Sequence, residues 1–375
     1  MRIGFDAKRA YLNNTGLGNY SRDCIRVLSD IFPNHSYHLY SPKTAKNPRL
    51  GFLNERTNIT SHFPKNFIER MFKGVWRSAL IKKKLESTID LYHGLSNELP
   101  LGIQMTGVKS IVTIHDLIFI RYPELYKGVD RQIYMIKFKK ACRAADRIIA
   151  VSEQTREDII EFFGTPREKI EVVYQSCAPV FQNRSKTKLN PDISKYNLPD
   201  DYLLYVGTVE ERKNLLNIIK AVHRMSKENL VVVGNGKAYM KRCRDYVLDN
   251  GLGTRVKFHS NVPTADLAEF YYGAKTFIYP STFEGFGIPI LEALFCKTPV
   301  ITSKEGCFSE SGGPSSIYID PHDPSEIVDA VQKLNSEETL RDKMINDGFK
   351  HAQNFTDENV AANLMEVYER VINQA

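Results

Sequence analysis

Short apolar runs alternate with helical patterns along the whole chain, and this alternation restricts the fold more than any other feature. A parallel strand reaches its neighbour only through a crossover, so repeated strand–helix units imply parallel sheets with helices on their faces. In the first half, residues 2–6, 37–40, 91–94, 110–115, 147–151 and 170–173 read as strands, with helices at 18–31, 66–87, 131–144 and 154–163. Residues 174–200 turn polar and carry Pro191 and Pro199, after which the pattern restarts at Tyr202. Strands then follow at 202–207, 230–233, 256–259, 276–279, 300–302 and 316–319, with helices between them. The expectation is an α/β chain of two doubly wound, Rossmann-like domains facing a cleft. Their spans are 1–180 and 201–355, joined by a linker at 181–200. Residues 357–373 close the chain as an amphipathic helix that needs a surface to pack on. A length of 375 residues with 42% hydrophobic content suits two separate cores.

The segment from Pro280 to Ala293 carries the clearest chemistry. An apolar strand at 276–279 runs into Glu284-Gly285-Phe286-Gly287, and Pro289 suits the first turn of the helix that follows. Ligands bind outside the carboxyl ends of strands in open α/β sheets, and free helix N–H groups favour an anion there. Glu284 at the lip and Glu292 eight residues on, with Leu291 beside it, suit a ligand bearing phosphate and several hydroxyls.

Three further turns follow strands and carry glycine: Gly16 and Gly18, Gly207 before Thr208, and Gly234. Glycine lets backbone approach a phosphate, although strand-to-helix turns favour it anyway. None completes G-x-G-x-x-G, which weakens a dehydrogenase reading. Arg212 and Lys213 read as two cations opposing a helix N-terminus, and so as awaiting an anion. His115, at a strand end with Asp116 adjacent and Asn97 and Glu98 near another, is a candidate contact to a sugar hydroxyl. No D-x-D occurs, so no metal site is expected, and the leaving charge would fall to Arg212, Lys213 and backbone N–H groups.

Residues 1–180 hold 28 Lys and Arg against 18 Asp and Glu, whereas the remainder is net −3. The excess gathers from Asn66 to Ser87, where Phe67, Met71, Phe72 and Trp76 interleave with the cations. Such a helix can lie on an anionic membrane, or its apolar face can pack on the core. No nucleic-acid motif is present. Scattered cysteines, with no leader pattern and no bilayer-length apolar run, set the expectation of a cytoplasmic protein at the inner face of the membrane.

With these residues in place, the chain resembles retaining glycosyltransferases of family 4, which have the GT-B fold. The likeness spans Thr15 to Tyr20, Leu91 to Leu95, Thr113 to Leu117, Ala145 to Ser152, Val206 to Asn214 and Pro280 to Ala293. The G-T-x-x-x-R-K-N variant looks like bacterial mannosyltransferases of surface polysaccharide synthesis. The resemblance implies a hexosyltransferase without cofactor, taking GDP-mannose or a UDP-sugar to a glycan or lipid-linked acceptor. Gly18, Arg212 and Lys213 would meet the diphosphate, Glu284 and the backbone of Gly285, Phe286 and Gly287 the sugar, Glu292 the ribose. His115 would lie beside the transferred sugar. It also implies that the final helix, 356–375, returns to the first domain. Many family members carry Arg where this chain has Thr208, which leaves the role of Arg212 open. A nucleotide-sugar epimerase and a non-catalytic sugar-nucleotide-binding subunit are the rival readings.

Overall fold

In the computed structural model, residues 46, 66, 73–75, 78–80, 184–191 and 374–375 lie outside the described part of the chain. Everything else falls into two units, Met1–Gln175 with Asp357–Ala375, and Ser176–Thr356. The first contains β1 Arg2–Asp6, β2 Ser36–Tyr40, β3 Ile59–His62, β4 Leu91–Gly94, β5 Lys109–Ile114, β6 Arg147–Ala150 and β7 Ile170–Val172. They form one sheet in the order β3-β2-β1-β4-β5-β6-β7. The second contains β8 Leu203–Val206, β9 Leu230–Val233, β10 Val256–His259, β11 Thr276–Tyr279, β12 Val300–Ser303 and β13 Ile317–Ile319. Its order is β10-β9-β8-β11-β12-β13, and the neighbouring strands of both sheets run parallel.

Helices cover both faces of each sheet, so the central strands are apolar throughout rather than alternating. Leu203, Leu204 and Tyr205 on β8 are all fully buried. Both sheets reverse their winding at the same place, between β1 and β4 and between β8 and β11. The loops leaving those strands diverge in opposite directions, which opens room at the carboxyl ends.

The helix Asp357–Asn373 belongs to the first unit. Its Val360, Leu364, Val367, Tyr368 and Val371 are buried in one cluster with Ile3, Phe5, Ile25 and Leu28. Each such side chain contributes about 1.5–3 kcal/mol by leaving water. Tyr368 hydroxyl lies 2.6 Å from Nδ1 of the buried His93, and Arg26 pairs with Asp357 at 2.8 Å.

Beyond unexpected short helices such as Lys8–Leu12 and Phe308–Gly312, three larger elements differ from the sequence expectation. Strand β3 occupies a sheet edge, where Ile59-Thr60-Ser61-His62 is only half-buried and offers no apolar run to read. The helix Glu338–Ala352 buries only Met344, Gly348 and Ala352, too small a stripe to stand out. The stretch 66–87 is not one helix: Phe67–Met71 and Lys82–Thr88 are separate, with turns at Phe72 and Ile81. Ile81 N–H bonds the Trp76 carbonyl five residues back at 3.0 Å, one residue beyond an α-helical bond, and Trp76, Ile81 and Leu85 are buried in one cluster with Tyr40 and Tyr92. Asn66 and residues 73–75 and 78–80 of that stretch lie outside the described residues.

The expected linker, 181–200, is described only at 181–183 and 192–200. Phe181 packs edge-on to Tyr271, and Tyr196 donates to Asp266 at 2.6 Å, so both ends rest on the second unit. Among the described residues, no helix is long and apolar enough to cross a membrane.

Candidate active site

In the second unit, the loops leaving β8 and β11 meet around one carboxylate. Oε1 of Glu284 accepts from Arg212 at 2.7 Å, from Tyr279 hydroxyl at 2.9 Å and from Ser281 hydroxyl at 2.8 Å, and Lys213 Nζ lies 2.9 Å away. Lys213 is buried, donates to Tyr279 hydroxyl at 2.5 Å and sits 4.9 Å from the centre of its ring. Arg212 also pairs with Glu210 and donates to the carbonyl of Phe283, both at 2.5 Å. Burial opposes ionisation of Glu284, yet Lys213 and Arg212 outweigh it and hold the carboxyl at about 2. A carboxylate held so low is a weak proton acceptor. Burial likewise opposes the Arg212 charge, which Glu284 and Glu210 keep above its ordinary range.

Here the structure alters the reading of the cation pair. Arg212 and Lys213 stand in a 3-10 turn, Glu211–Lys213, ahead of the helix Leu215–Arg224, with Asn214 left-handed between them (φ 52°). They are already engaged by Glu284, and Arg212 by Glu210 as well, so the cluster is assembled without any ligand.

Glycine frames this cluster. Gly207 has φ 153°, a conformation that L side chains rarely adopt, and a Cβ there would lie in contact with Lys213 at 3.4 Å. A Cβ at Gly234 would come within 1.9 Å of the Gly207 carbonyl oxygen, so that glycine is needed by the packing of two turns. Thr208 is exposed and accepts from Tyr205 hydroxyl through its carbonyl. Gly287 caps the helix Ile288–Phe295 at φ 103°, turning the chain sharply after Gly285. Phe286 points instead into the interior, 5.6 Å from Phe355, and the Leu291 side chain is fully buried. Glu292 is half-buried and accepts from Tyr271 hydroxyl at 2.8 Å, which fixes one carboxylate oxygen.

The first unit presents its own candidates. Gly16 is open, with nothing near the position a side chain would take. Gly18 packs so tightly that a Cβ would meet Asn13 carbonyl oxygen at 1.9 Å. Its N–H is used inside the turn, donating to Thr15 carbonyl at 2.9 Å and Asn13 Oδ1 at 3.2 Å. An anion reaching Gly18 therefore shares or displaces those contacts. His115, at the carboxyl end of β5, donates its backbone N–H to Asn97 Oδ1 at 2.9 Å and stacks edge-on to Tyr20. Its Nε2 lies 2.9 Å from Leu95 carbonyl. A carbonyl can only accept, so Nε2 carries the hydrogen and Nδ1 is left as an acceptor. Burial lowers the ring to about 4, so it is neutral at physiological pH.

Sequence reasoning missed several partners. Asn13, Tyr279 and Ser281 carry no motif of their own and are recognisable only from what they hold. Asp6, Arg77 and Glu98 were missed as a group: Arg77 bridges Asp6 and Glu98, each at 2.5 Å, and Lys137 reaches Glu98 at 3.2 Å. Seventy-one residues separate Asp6 from Arg77, so nothing local signals the pair.

A family model described as "Glycosyl transferases group 1" matches residues 187–351, and one described as "Glycosyltransferase Family 4" matches residues 15–176. The O-antigen chain mannosyltransferase B of Escherichia coli is 30% identical over 286 residues, 74% of each chain. The O-antigen chain mannosyltransferase RfbU of Salmonella typhimurium is 28% identical over 224 residues, so the match spans only 60% of that relative's length and of this chain. Among solved structures, Anabaena Alr3699/HepE in complex with UDP superposes with a TM-score of 0.74 at 15% identity, over 99% of this chain and 100% of that one. At that identity the likeness is one of fold.

Proposed function

The chain belongs to the group 1, family 4 glycosyltransferases and has their GT-B fold, and from that premise we propose that it moves mannose from GDP-mannose onto a hydroxyl of a lipid-linked or polysaccharide acceptor, with retention of configuration and without metal. The observation that carries this reading is the closed cluster of Glu284 with Arg212, Lys213, Tyr279 and Ser281. The buried Lys213 and the half-buried Arg212 meet the diphosphate as it leaves, and preorganised charge of this kind needs no rearrangement during reaction. Glu284 offers its carboxylate to hydroxyls of the transferred sugar, and Glu292, steadied by Tyr271, offers its own to the ribose.

Retention follows a same-face course. The bond from the anomeric carbon to the diphosphate oxygen breaks, and the acceptor oxygen bonds to that carbon. The acceptor's proton passes to the departing diphosphate oxygen. Glu284 at about 2 and His115 at about 4 are both weak bases at neutral pH, which supports leaving that proton to the diphosphate. His115 contributes Nδ1 as an acceptor for a sugar hydroxyl.

Mannose as the transferred sugar is supported by the names of the relatives in E. coli and Salmonella. A UDP-sugar is the second donor reading, supported by UDP in the Anabaena neighbour. Incubating the protein with each donor and an O-antigen acceptor, then identifying products, tests the choice. Donor epimerised without acceptor, or donor bound and never consumed, would overturn transfer altogether. Exposed Phe67, Met71 and Phe72 beside Lys65 and Arg70 support contact with an anionic membrane surface. Flotation with phosphatidylglycerol vesicles at low salt checks it; no binding removes that partner.

A further inference from the structure

At the winding reversal of the first sheet lies a cavity of about 820 Å³ that none of the motifs above explains. It is walled by Lys8 just after β1, by the loop Glu98–Gln104 after β4, and by the last turns of the helix Gly128–Ala144. Five cations line it, Lys8, Arg77, Lys137, Lys140 and Arg143, against the single carboxylate of Glu98. Arg77 and Lys137 are committed to Asp6 and Glu98. Among the described residues, Lys8, Lys140 and Arg143 have no carboxylate within ion-pair distance. Lys8 is half-buried, and burial together with the nearby Arg77 charge lowers its ammonium below the ordinary range. A desolvated cation beside other cations is unfavourable until an anion arrives.

The same lining carries apolar side chains. Leu99, Leu101, Ile136 and Ala141 are among them, and Leu101 and Ile136 are each more than half exposed. Met105 and Ile133, also exposed, extend apolar surface along the same two segments. Cations and exposed hydrocarbon within one lining suit an anionic group on an aliphatic chain better than a nucleic acid or a free sugar.

We propose that this pocket binds a phosphate or diphosphate ester of an aliphatic alcohol, with Lys8, Lys140 and Arg143 on the phosphate and Leu101 and Ile136 against the chain. It rests on the transfer reading only in taking that ester as the carrier of the acceptor. The shared chemistry could also reside in a phospholipid headgroup, and the experiment separates the two.

Titration calorimetry of the full chain with geranyl diphosphate, inorganic diphosphate and geraniol tests the site. Geranyl diphosphate should bind roughly tenfold or more tightly than inorganic diphosphate, because the chain leaves water. The double variant Lys8→Ala/Lys140→Ala should weaken it roughly tenfold or more, and Leu101→Ser should erase the preference over inorganic diphosphate. Lys213→Ala should leave this binding intact. Unchanged affinity in the double variant, or loss in Lys213→Ala alone, would place the diphosphate elsewhere and overturn the site. Displacement of geranyl diphosphate by phosphatidylglycerol vesicles assigns the pocket to a headgroup, and its absence assigns it to the acceptor's carrier. If Lys213→Ala keeps full transfer while the double variant loses geranyl diphosphate, the transfer reading fails and the pocket stands.

Discussion

The two sheets solve one topological problem with opposite electrostatics. Each reverses at its first and fourth strands in chain order, and at each reversal a charged cluster ties the two diverging loops. In the second unit, Arg212 and Lys213 close on Glu284, and Arg212 on Glu210 as well, two cations on two carboxylates. In the first, Arg77 and Lys137 close on Asp6 and Glu98, but Lys8, Lys140 and Arg143 stand around the cavity beyond them. A balanced cluster gives a rigid frame whose charge is already positioned. An unbalanced one is a frame plus a demand for counter-charge. The shared fold thus builds the same structural tie twice and leaves only one of them with cations to spare.

The largest test of the comparison is Glu284→Ala. It leaves the buried Lys213 without its counter-ion and the half-buried Arg212 with Glu210 alone, a loss of about 3–5 kcal/mol from the second unit. Transfer should fall roughly a thousandfold with it, measured by radiolabelled mannose incorporation. Arg77→Ala is the matching test in the first unit, stranding buried Asp6 at about 3 kcal/mol or more. Trp76, the single tryptophan, is buried in that unit, so its fluorescence in a urea titration reports the first unit selectively.

Acid should challenge both clusters at once. Glu284 and Glu98 are each held at about 2 from an ordinary 4.5, by Lys213 and Arg212 in one case and Arg77 in the other, against burial. The unfolded chain therefore takes up protons first. The stability these groups contribute is complete above pH 4.5 and is lost as pH falls towards about 2. His93 and His115, kept neutral by burial down to about 3 and about 4, add a loss in the first unit that begins near pH 6.5. Calorimetric melts from pH 7 to 3 follow both units, and Glu284→Gln should remove the second unit's share of the carboxylate slope.

Gly18→Ala and Gly234→Ala form a smaller paired test. Each would set a Cβ 1.9 Å from a backbone oxygen, so each should destabilise its own unit by about 1–3 kcal/mol in a thermal melt. Thr208→Ala is the smallest. Its side chain is exposed, and the change should stay within about 0.5 kcal/mol in the same melt.

Much of this architecture was legible in the sequence because central parallel strands are apolar on both faces, as at Leu230–Val233. Legibility failed where burial was partial, as at β3, or where a five-residue turn broke a helical pattern, as between Trp76 and Ile81. At the site, Glu284, Arg212 and Lys213 could be picked out from local motifs. That both cations close on a single oxygen of Glu284 could not, because the contact joins loops about seventy residues apart. A similar separation hid Arg77, one of the basic residues of the 66–87 stretch, whose partner Asp6 lies 71 residues away.

The helix Asp357–Asn373 imposes an order on how the molecule can be made. Residues 1–175 leave the ribosome with Phe5, Ile25 and Leu28 in a core that also takes in Val360, Leu364, Val367, Tyr368 and Val371 of this helix. At about 5–20 residues per second, the 181 residues from Ser176 to Thr356 take roughly 10–40 s to synthesise. Throughout that interval the second unit can complete its own core while the first, begun earlier, cannot. The half of the chain translated first is finished last, and a nascent chain stalled before residue 357 is a natural client for chaperones.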